Sequence, residues 1–130
     1  MCRRGDIYYV DFGINHDSYK QSGVRPAIVV SNNKANTNSP VVTVIPLTAR
    51  TWKKKYLPTH IQIPTRIHTG LGRPSMALAE QVETLDKKFL GEKIGEVNDE
   101  MVMGQITVAL QIQIGAFSEY NWNSLYYIVI

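Results

Sequence analysis

Residues 23–32 read Gly23-Val24-Arg25-Pro26-Ala27-Ile28-Val29-Val30-Ser31-Asn32, so an arginine stands directly before an apolar, largely β-branched run. Such a run with turn-forming residues on both sides is typical of a strand, and we predict one over Pro26–Val30. The eleven residues before Val24, Gly13 to Gly23, are mostly polar and turn-prone and are predicted to form a loop. Loops this long in small domains are usually functional or mobile, and function is favoured here. Arg25 therefore lies where a functional loop meets the core.

Other short segments have the composition or the alternation of strands. They are Asp6–Phe12, Val41–Leu47, Thr59–Ile63 and Ser75–Ala79. Residues 32–40 are rich in asparagine and are predicted to be a turn region, and residues 50–56 form a basic loop with interleaved aromatics. Short strands separated by turns, without long alternating helices, favour a small barrel or sandwich over a βαβ sheet.

Residues 98–117 fit two patterns. Apolar and polar residues alternate from Gln105 to Ile114, which is the period of a strand. Against that, Asn98 is a good N-cap, and Asp99 and Glu100 suit the first turn of a helix. A helical stripe of mainly apolar residues follows, namely Val102, Ile106, Ala109, Leu110, Gln113 and Phe117. We predict a closing helix.

Composition indicates one globular domain in a reducing compartment. The 130 residues are 44% hydrophobic and 19% charged, without the excess of glycine, proline or serine that accompanies disorder. The single cysteine, Cys2, excludes an intrachain disulfide and a thiolate metal cluster. The first residues lack an apolar segment of the secretory kind, and no run is apolar enough to span a bilayer. We expect a cytoplasmic protein without a membrane partner.

Positive charge is concentrated in the first part of the chain. Residues 1–73 hold eleven Lys or Arg against three Asp, a net 11 − 3 = +8, and residues 74–130 hold three against eight, a net 3 − 8 = −5. This asymmetry indicates a polyanionic partner, although the two parts could equally pair their charges within the fold.

The common catalytic and cofactor signatures are absent from the sequence. There is no phosphate-binding glycine-rich loop, no His-Glu-x-x-His and no Gly-x-Ser-x-Gly. The histidines, His16, His60 and His68, lack metal-ligand spacing, so no cofactor and no metal is predicted. His60 is expected to be a surface strand residue, and His16, in the long loop, is a minor candidate.

The chain resembles the MazF/PemK toxin family. Arg4-Gly5-Asp6 precedes the first predicted strand and Gly23-Val24-Arg25-Pro26 the second, as in that family. The similarity continues in the same order from about Arg4 to Phe117. It includes Ser39-Pro40-Val41-Val42, Pro46-Leu47-Thr48, Leu57-Pro58-Thr59-His60-Ile61 and Ala79-Glu80-Gln81-Val82-Glu83-Thr84-Leu85-Asp86-Lys87.

The resemblance implies an α+β, mainly β fold, an SH3-like small β-barrel of the MazF, Kid and CcdB kind with a C-terminal helix. Residues 1–117 would form this toxin domain, with the apolar tail 118–130 packed on it or on a dimer partner. It also implies a homodimer that cuts single-stranded RNA, is neutralised by a cognate antitoxin with a disordered segment, and reaches operator DNA only through that antitoxin.

In such a toxin the substrate's own 2′-OH attacks the adjacent phosphorus, leaving a 2′,3′-cyclic phosphate and a 5′-OH. The resemblance makes Arg25 and Thr48 the catalytic residues. The planar guanidinium of Arg25 suits charge stabilisation more than proton donation, since its pKa is above about 12. Thr48 would add a hydroxyl donor to the same phosphate.

The expected RNA-binding residues are Tyr19, Lys20, Gln21, Lys54, Glu80 and Gln81. Lys20 departs from the family, many of whose members carry a glutamate there, and this leaves the base that accepts the 2′-OH proton unassigned. The ordinary alternatives are a polar strand end at residues 80–81 and a solvated charge run at residues 53–55. Trp52 and Tyr56 could stack on bases or pack at a dimer contact.

Two other functions remain open at the level of sequence. A gyrase-poisoning toxin could use the same barrel to bind a protein without cutting RNA, and a catalytically silent RNA-binding module is compatible with Lys20. The match at Arg25 and Thr48 favours the ribonuclease.

Overall fold

The computed structural model describes residues 1–15, 17–65 and 70–116. His16, His68, Phe117 and the predicted tail 118–130 lie outside these residues, so the expectations for them stay predictions. The strands are β1 (Asp6–Asp11), β2 (Val24–Val29), β3 (Val41–Thr48), β4 (His60–Ile63), β5 (Ser75–Leu78), β6 (Glu83–Asp86) and β7 (Leu90–Glu96). The helices are α1 (Asn33–Asn38) and α2 (Glu100–Gln113), and short 3-10 turns span Ala79–Gln81 and Lys87–Phe89.

All strand pairs are antiparallel and follow the order β4-β5-β3-β2-β1-β7. Strand β3 is the centre of this sheet. On one edge it pairs with β2, and on the other it pairs with β6 through Val41–Val44 and with β5 through Leu47 and Thr48. Because β3 passes from one neighbour to the other, its last residue reaches the β4-β5 part of the sheet.

The fold class is confirmed, and within the described residues the sheet remains open. Strands β4 and β7 end the path and do not pair with each other. The five predicted strands are observed with shifts of up to two residues at their ends. Strands β6 and β7 were not predicted, since residues 83–96 are rich in charged residues and lack an apolar run.

Both faces of the central strands are covered, because side chains alternate along a strand. One apolar cluster contains Ile7, Ile28 and Ile45 and packs against Val102, Ile106 and Ala109 of α2. The other, on the opposite face, contains Cys2, Val10, Phe12, Ala27, Val29, Val42, Val44 and Leu85. Residues 27–29 of β2, which directly follow Arg25 and Pro26, are therefore packed on both faces of the sheet.

The closing helix α2 is confirmed, but its start differs from the prediction. The N-cap is Asp99, whose carboxylate accepts from the backbone N–H groups of Met101 at 2.9 Å and Val102 at 3.1 Å. Asn98 was therefore one residue too early. The buried residues of α2 are Val102, Ile106, Ala109 and Ile112, so burial follows the helical period and the strand-like alternation is incidental.

The asparagine-rich region 32–40 is not only a turn, since it contains the short helix α1. Asn32 caps it by accepting from the N–H of Ala35 at 2.8 Å. The prediction missed this helix because asparagine has low helix propensity, whereas here it serves as the cap. No helix in the part of the chain that the structure describes is long and apolar enough to cross a membrane.

Candidate active site

Arg25 and Thr48 lie on neighbouring strands at one end of the sheet. Strand β2 pairs with β3 in a register that includes Ala27 opposite Pro46. Continued by two residues on each strand, this register places Arg25 opposite Thr48. Both residues line one cavity of about 250 Å³. The structure thus brings together the two residues that the resemblance made catalytic.

The side chains of Arg25 and Thr48 are both ready to donate. Among the described residues, the guanidinium of Arg25 makes one hydrogen bond, from Nε to the carbonyl oxygen of Ser22 at 3.0 Å. This bond orients the group and leaves its two terminal nitrogens for a ligand. The hydroxyl oxygen of Thr48 accepts from the N–H of Arg50 at 3.2 Å, so its proton can point into the cavity.

Three further polar residues that the sequence did not single out as site residues line this cavity, namely Tyr9, Arg73 and Ser75. Arg73 is exposed and stands two residues before β5, much as Arg25 stands near the start of β2. This position, a cation at the start of an apolar strand, is the signal that could have identified it. The cavity therefore contains two guanidinium groups, which favours an anionic ligand.

A second cavity, of about 380 Å³, shares Thr48 with the first. It collects most of the predicted RNA-binding residues, since Tyr19, Gln21, Lys54, Glu80 and Gln81 all line it. These residues come from the loop after β1, the basic loop after β3 and the 3-10 turn after β5. Long-range folding has therefore placed residues up to 62 positions apart around one space.

Gln81 connects the 3-10 turn to the loop between β1 and β2. Its side-chain oxygen accepts from the N–H of Gln21 at 2.7 Å, and its amide nitrogen donates to the carbonyl of Tyr19 at 3.4 Å. In this arrangement both ends of the amide contact backbone. Gln81 thus anchors the loop, a contact that the sequence did not predict.

Lys20 is the predicted RNA-binding residue that does not line either cavity. Its ammonium lies 3.3 Å from a carboxylate oxygen of Glu83 on β6. The pair is partly exposed, with side-chain exposures of 47% and 27%, so it contributes little to stability. It nevertheless fixes the side of the loop on which Lys20 lies.

His60 and Glu80 form a contact at the wall of the second cavity. The side chain of His60 is only 6% exposed, and Nε2 lies 2.6 Å from Oε1 of Glu80. The expectation of a surface histidine was therefore wrong, because the basic loop and the 3-10 turn cover it. Burial alone would raise the pKa of Glu80, but hydrogen bonds from His60 and from the Glu80 backbone, with the charge of His60, lower it below its ordinary value.

Positive charge prevails around the second cavity. Arg50, Lys53 and Lys54 line it without an ion pair among the described residues, and Glu80 is the one acidic residue in its wall. The asymmetry seen in the sequence is therefore only partly neutralised within the fold, by contacts such as Lys20 to Glu83. Within residues 1–15, 17–65 and 70–116, no group of three His, Cys, Asp or Glu side chains could hold a metal ion.

Known proteins are similar to this chain in both sequence and fold. Residues 3–114 match the model of the PemK-like, MazF-like toxins of type II toxin-antitoxin systems. A curated relative is Endoribonuclease EndoA of Bacillus subtilis, which is 41% identical over 114 residues, covering 88% of this chain and 95% of the relative.

Two solved structures illustrate the similarity of fold. An endoribonuclease in complex with its cognate antitoxin, from a mycobacterial species, is 29% identical with a TM-score of 0.71, covering 91% of this chain and 99% of that one. MazF from Deinococcus radiodurans is 22% identical with a TM-score of 0.72, covering 88% and 96%, and shows the fold alone. On the match over residues 3–114 and the 41% identity, the chain belongs to the PemK-like, MazF-like toxin family of type II toxin-antitoxin systems.

Proposed function

We propose that this toxin is an endoribonuclease that cuts single-stranded RNA through attack of the substrate 2′-OH on the adjacent phosphorus. The main support is that Arg25 and Thr48 line one cavity, where the terminal guanidinium nitrogens and the hydroxyl group can donate to a ligand. The name of the Bacillus relative supports the same activity. No metal step is needed, because the nucleophile and the leaving group both belong to the RNA.

In the proposed reaction, Arg25 stabilises the negative charge that develops on the phosphoryl oxygens. Its Nε bond to Ser22 fixes the plane of the guanidinium, so the two terminal nitrogens can form a bidentate contact without further ordering. The Thr48 hydroxyl donates a second hydrogen bond to the same group. Preorganised donors of this kind contribute most when the charge exists only in the transition state.

Lys20 is not the base that accepts the proton of the attacking 2′-OH. In place of the carboxylate common in the family, this position carries an ammonium group that is held by Glu83. Because an ammonium group has no acceptor, it cannot take the proton. We infer that Lys20 acts on the RNA that flanks the cut, through its positive charge.

We propose that the second cavity receives the nucleotides next to the cut. Lys54 and its basic neighbours would contact phosphates, which strengthens binding at low salt. Gln21 and Glu80 would face base edges, and the fully exposed ring of Tyr19 is available for stacking. Gln81 would take part as the residue that fixes the loop and, where its amide turns to the RNA, as a base contact.

The partners follow from the family and are proposed for this chain. A mycobacterial relative was solved with its cognate antitoxin. We propose that the present toxin acts as a homodimer in the cytoplasm, is neutralised by an antitoxin whose disordered segment orders on binding, and meets operator DNA only through that antitoxin.

The test is cleavage of a long single-stranded RNA by the purified protein in EDTA, beside Arg25→Ala and Lys34→Ala. Lys34 is an exposed cation on α1, outside both cavities, so its variant controls for loss of positive charge. We expect discrete cuts with 5′-OH and 2′,3′-cyclic phosphate ends from the wild type and Lys34→Ala. Arg25→Ala should cut at least roughly a hundredfold more slowly, as expected for loss of a transition-state donor.

Two results would reject the proposal. Intact RNA together with inhibition of gyrase would assign the protein to the gyrase-poisoning toxins. RNA that is bound with equal affinity by the wild type and Arg25→Ala, and cut by neither, would make it a silent RNA-binding module.

A further inference from the structure

His60 joins three parts of the site that are distant in sequence. It lies on the edge strand β4, and each of its ring nitrogens has a hydrogen-bond partner outside that strand. Nδ1 lies 2.9 Å from the backbone carbonyl oxygen of Lys54, in the basic loop, and Nε2 lies 2.6 Å from Oε1 of Glu80, in the 3-10 turn. The side chain of His60 is only 6% exposed, so little of the ring contacts bulk water.

The two partners determine how many protons the ring must carry. A backbone carbonyl only accepts, so the contact with Lys54 requires a proton on Nδ1. An ionised carboxylate also only accepts, and the lowered pKa of Glu80 keeps it ionised. Both hydrogen bonds form together only when each ring nitrogen carries a proton, and a ring with one proton keeps one of the two bonds, according to its tautomer.

The charged and titratable groups that share the cavity wall with His60 come from three elements. They are Tyr19 of the first loop, Arg50, Lys53 and Lys54 of the basic loop, and Glu80 of the 3-10 turn. On its other side, Lys55 and Tyr56 line an apolar groove that also contains His60. Of the residues that the structure describes, Glu80 is the one carboxylate in this wall, so His60 lies between a single acidic partner and three basic side chains.

The contact with Lys54 fixes an uncommon backbone conformation. Among the described residues other than glycine, Lys54 alone has a positive φ, of 55°. Its carbonyl accepts from the N–H of Leu57 at 3.1 Å as well as from His60. Gln62, two residues along β4 on the same face as His60, donates to the carbonyl of Thr51 at 3.0 Å. The basic loop is thus attached to β4 at two points, and one of them is His60.

We propose that His60 is a positioning residue whose two ring nitrogens hold Lys54 and Glu80 at the distance needed to bind the RNA beside the cut. This inference rests on the proposed ribonuclease function and deepens it. His60 does not line the cavity that contains Arg25, and it lines the second cavity, to which Thr48 also belongs. Its effect should therefore appear mainly in substrate binding.

The test compares the wild type with His60→Asn and His60→Gln. The asparagine amide nitrogen can occupy the place of Nδ1 and keep the bond to Lys54, whereas the glutamine amide nitrogen can reach the place of Nε2 and keep the bond to Glu80. We expect KM to rise roughly tenfold in each, the factor that corresponds to about 1.4 kcal/mol. The kcat at saturating RNA should remain within about twofold, since no group at the phosphate is moved.

The division between KM and kcat distinguishes positioning from a general loss of structure. A loss of folded protein lowers the apparent kcat, whereas misplaced contacts to the RNA raise KM. Lys34→Ala should retain the wild-type KM. Unchanged KM in the His60 variants, or a fall confined to kcat, would overturn the proposal.

A measurement without RNA keeps the inference testable should the protein not cut RNA. The N–H of Leu57 donates to the same Lys54 carbonyl that His60 contacts, so its hydrogen exchange reports the state of that carbonyl. Exchange of the Leu57 amide should become faster in His60→Gln, which loses the bond to Lys54, and should remain slow in His60→Asn, which keeps it. Equal exchange in the wild type and His60→Gln would refute the proposal, whatever the activity.

Discussion

Removal of the Gln81 side chain should release the loop between β1 and β2 without unfolding the protein. The amide of Gln81 accepts from the N–H of Gln21 at 2.7 Å and donates to the carbonyl of Tyr19 at 3.4 Å. Gln81→Ala removes both bonds. The loop ends remain held by the bond from the N–H of Gly23 to the carbonyl of Gly13 at 2.6 Å. The loss should therefore be local.

The magnitude follows from the two bonds. The short bond to Gln21 has good geometry and stabilises the closed loop by about 1 kcal/mol, whereas the 3.4 Å bond is long and contributes less. A free-energy change of about 1.4 kcal/mol corresponds to a tenfold change in an equilibrium constant. Loss of the bond to Gln21 should therefore increase the rate of hydrogen exchange of the Gln21 amide about fivefold. Exchange of the Gly23 amide should not change, which gives an internal control.

The assay is amide hydrogen exchange by NMR, followed by RNA cleavage. Gln81→Glu is the matched variant, because its carboxylate still accepts from the Gln21 N–H but cannot donate. It should preserve slow exchange at Gln21, and any change in the bases flanking the cut would then report a direct base contact by the Gln81 amide. Equal exchange of the Gln21 amide in the wild type and Gln81→Ala would refute the anchoring role.

Three further changes have defined outcomes. Thr48→Val should lower kcat roughly a hundredfold through loss of one donor to the phosphate, whereas Thr48→Ser should retain most of the activity; equal rates of the two in single-turnover cleavage would contradict this. Lys20→Glu places a second carboxylate beside Glu83, so it should lower the unfolding free energy by less than about 1 kcal/mol and change the map of cut sites. The neutral variant Lys20→Gln separates the effect of charge reversal from the loss of the ion pair. An unchanged map of cut sites in both variants would exclude Lys20 from RNA recognition. The hydrogen bond to buried Asp6 raises the pKa of Lys93 above its ordinary value of 10.5, although desolvation opposes the shift. The stabilisation of the folded protein by this pair is therefore complete below the unfolded-state pKa of Lys93. It is lost as the pH rises through the folded-state pKa. Lys93→Met should thus remove part of the alkaline decline of the unfolding free energy in urea titrations, and an identical decline would show that the pair does not stabilise the fold.

Strands β1 to β5, helix α2 and the position of Arg25 were predictable because each is indicated by residues that are close together in the sequence. Apolar runs bounded by turn residues identified β1 to β5, and the start of β2 placed Arg25 between a loop and the core. The helix α2 was predicted correctly against a strand-like alternation because capping residues precede it. Its cap was misplaced by one residue because Asn98 and Asp99 are both good caps, and only the backbone geometry selects one.

Strands β6 and β7 were missed because their stability comes from their neighbours. Both contain charged residues, and they form because β3 and β1 offer unpaired edges. Helix α1 was missed for a related reason. Its one buried side chain, that of Asn36, donates to the carbonyl of Ser31, and a sequence pattern does not show that an asparagine in a polar segment is buried. Tertiary contacts override local propensity in each case.

The sequence by itself determined the family, the strand-rich fold and the two residues, Arg25 and Thr48, at which the proposed chemistry takes place, because these depend on residue type and order. Only the tertiary structure decided which side chains surround them. It added Arg73 to the first cavity, showed that Gln81 anchors the loop, and placed His60, expected at the surface, with its side chain largely covered and in contact with both Lys54 and Glu80. The physical reason is that hydrogen bonds and ion pairs join atoms through space, and chain order does not specify which distant residues the folded sheet brings within 3 Å.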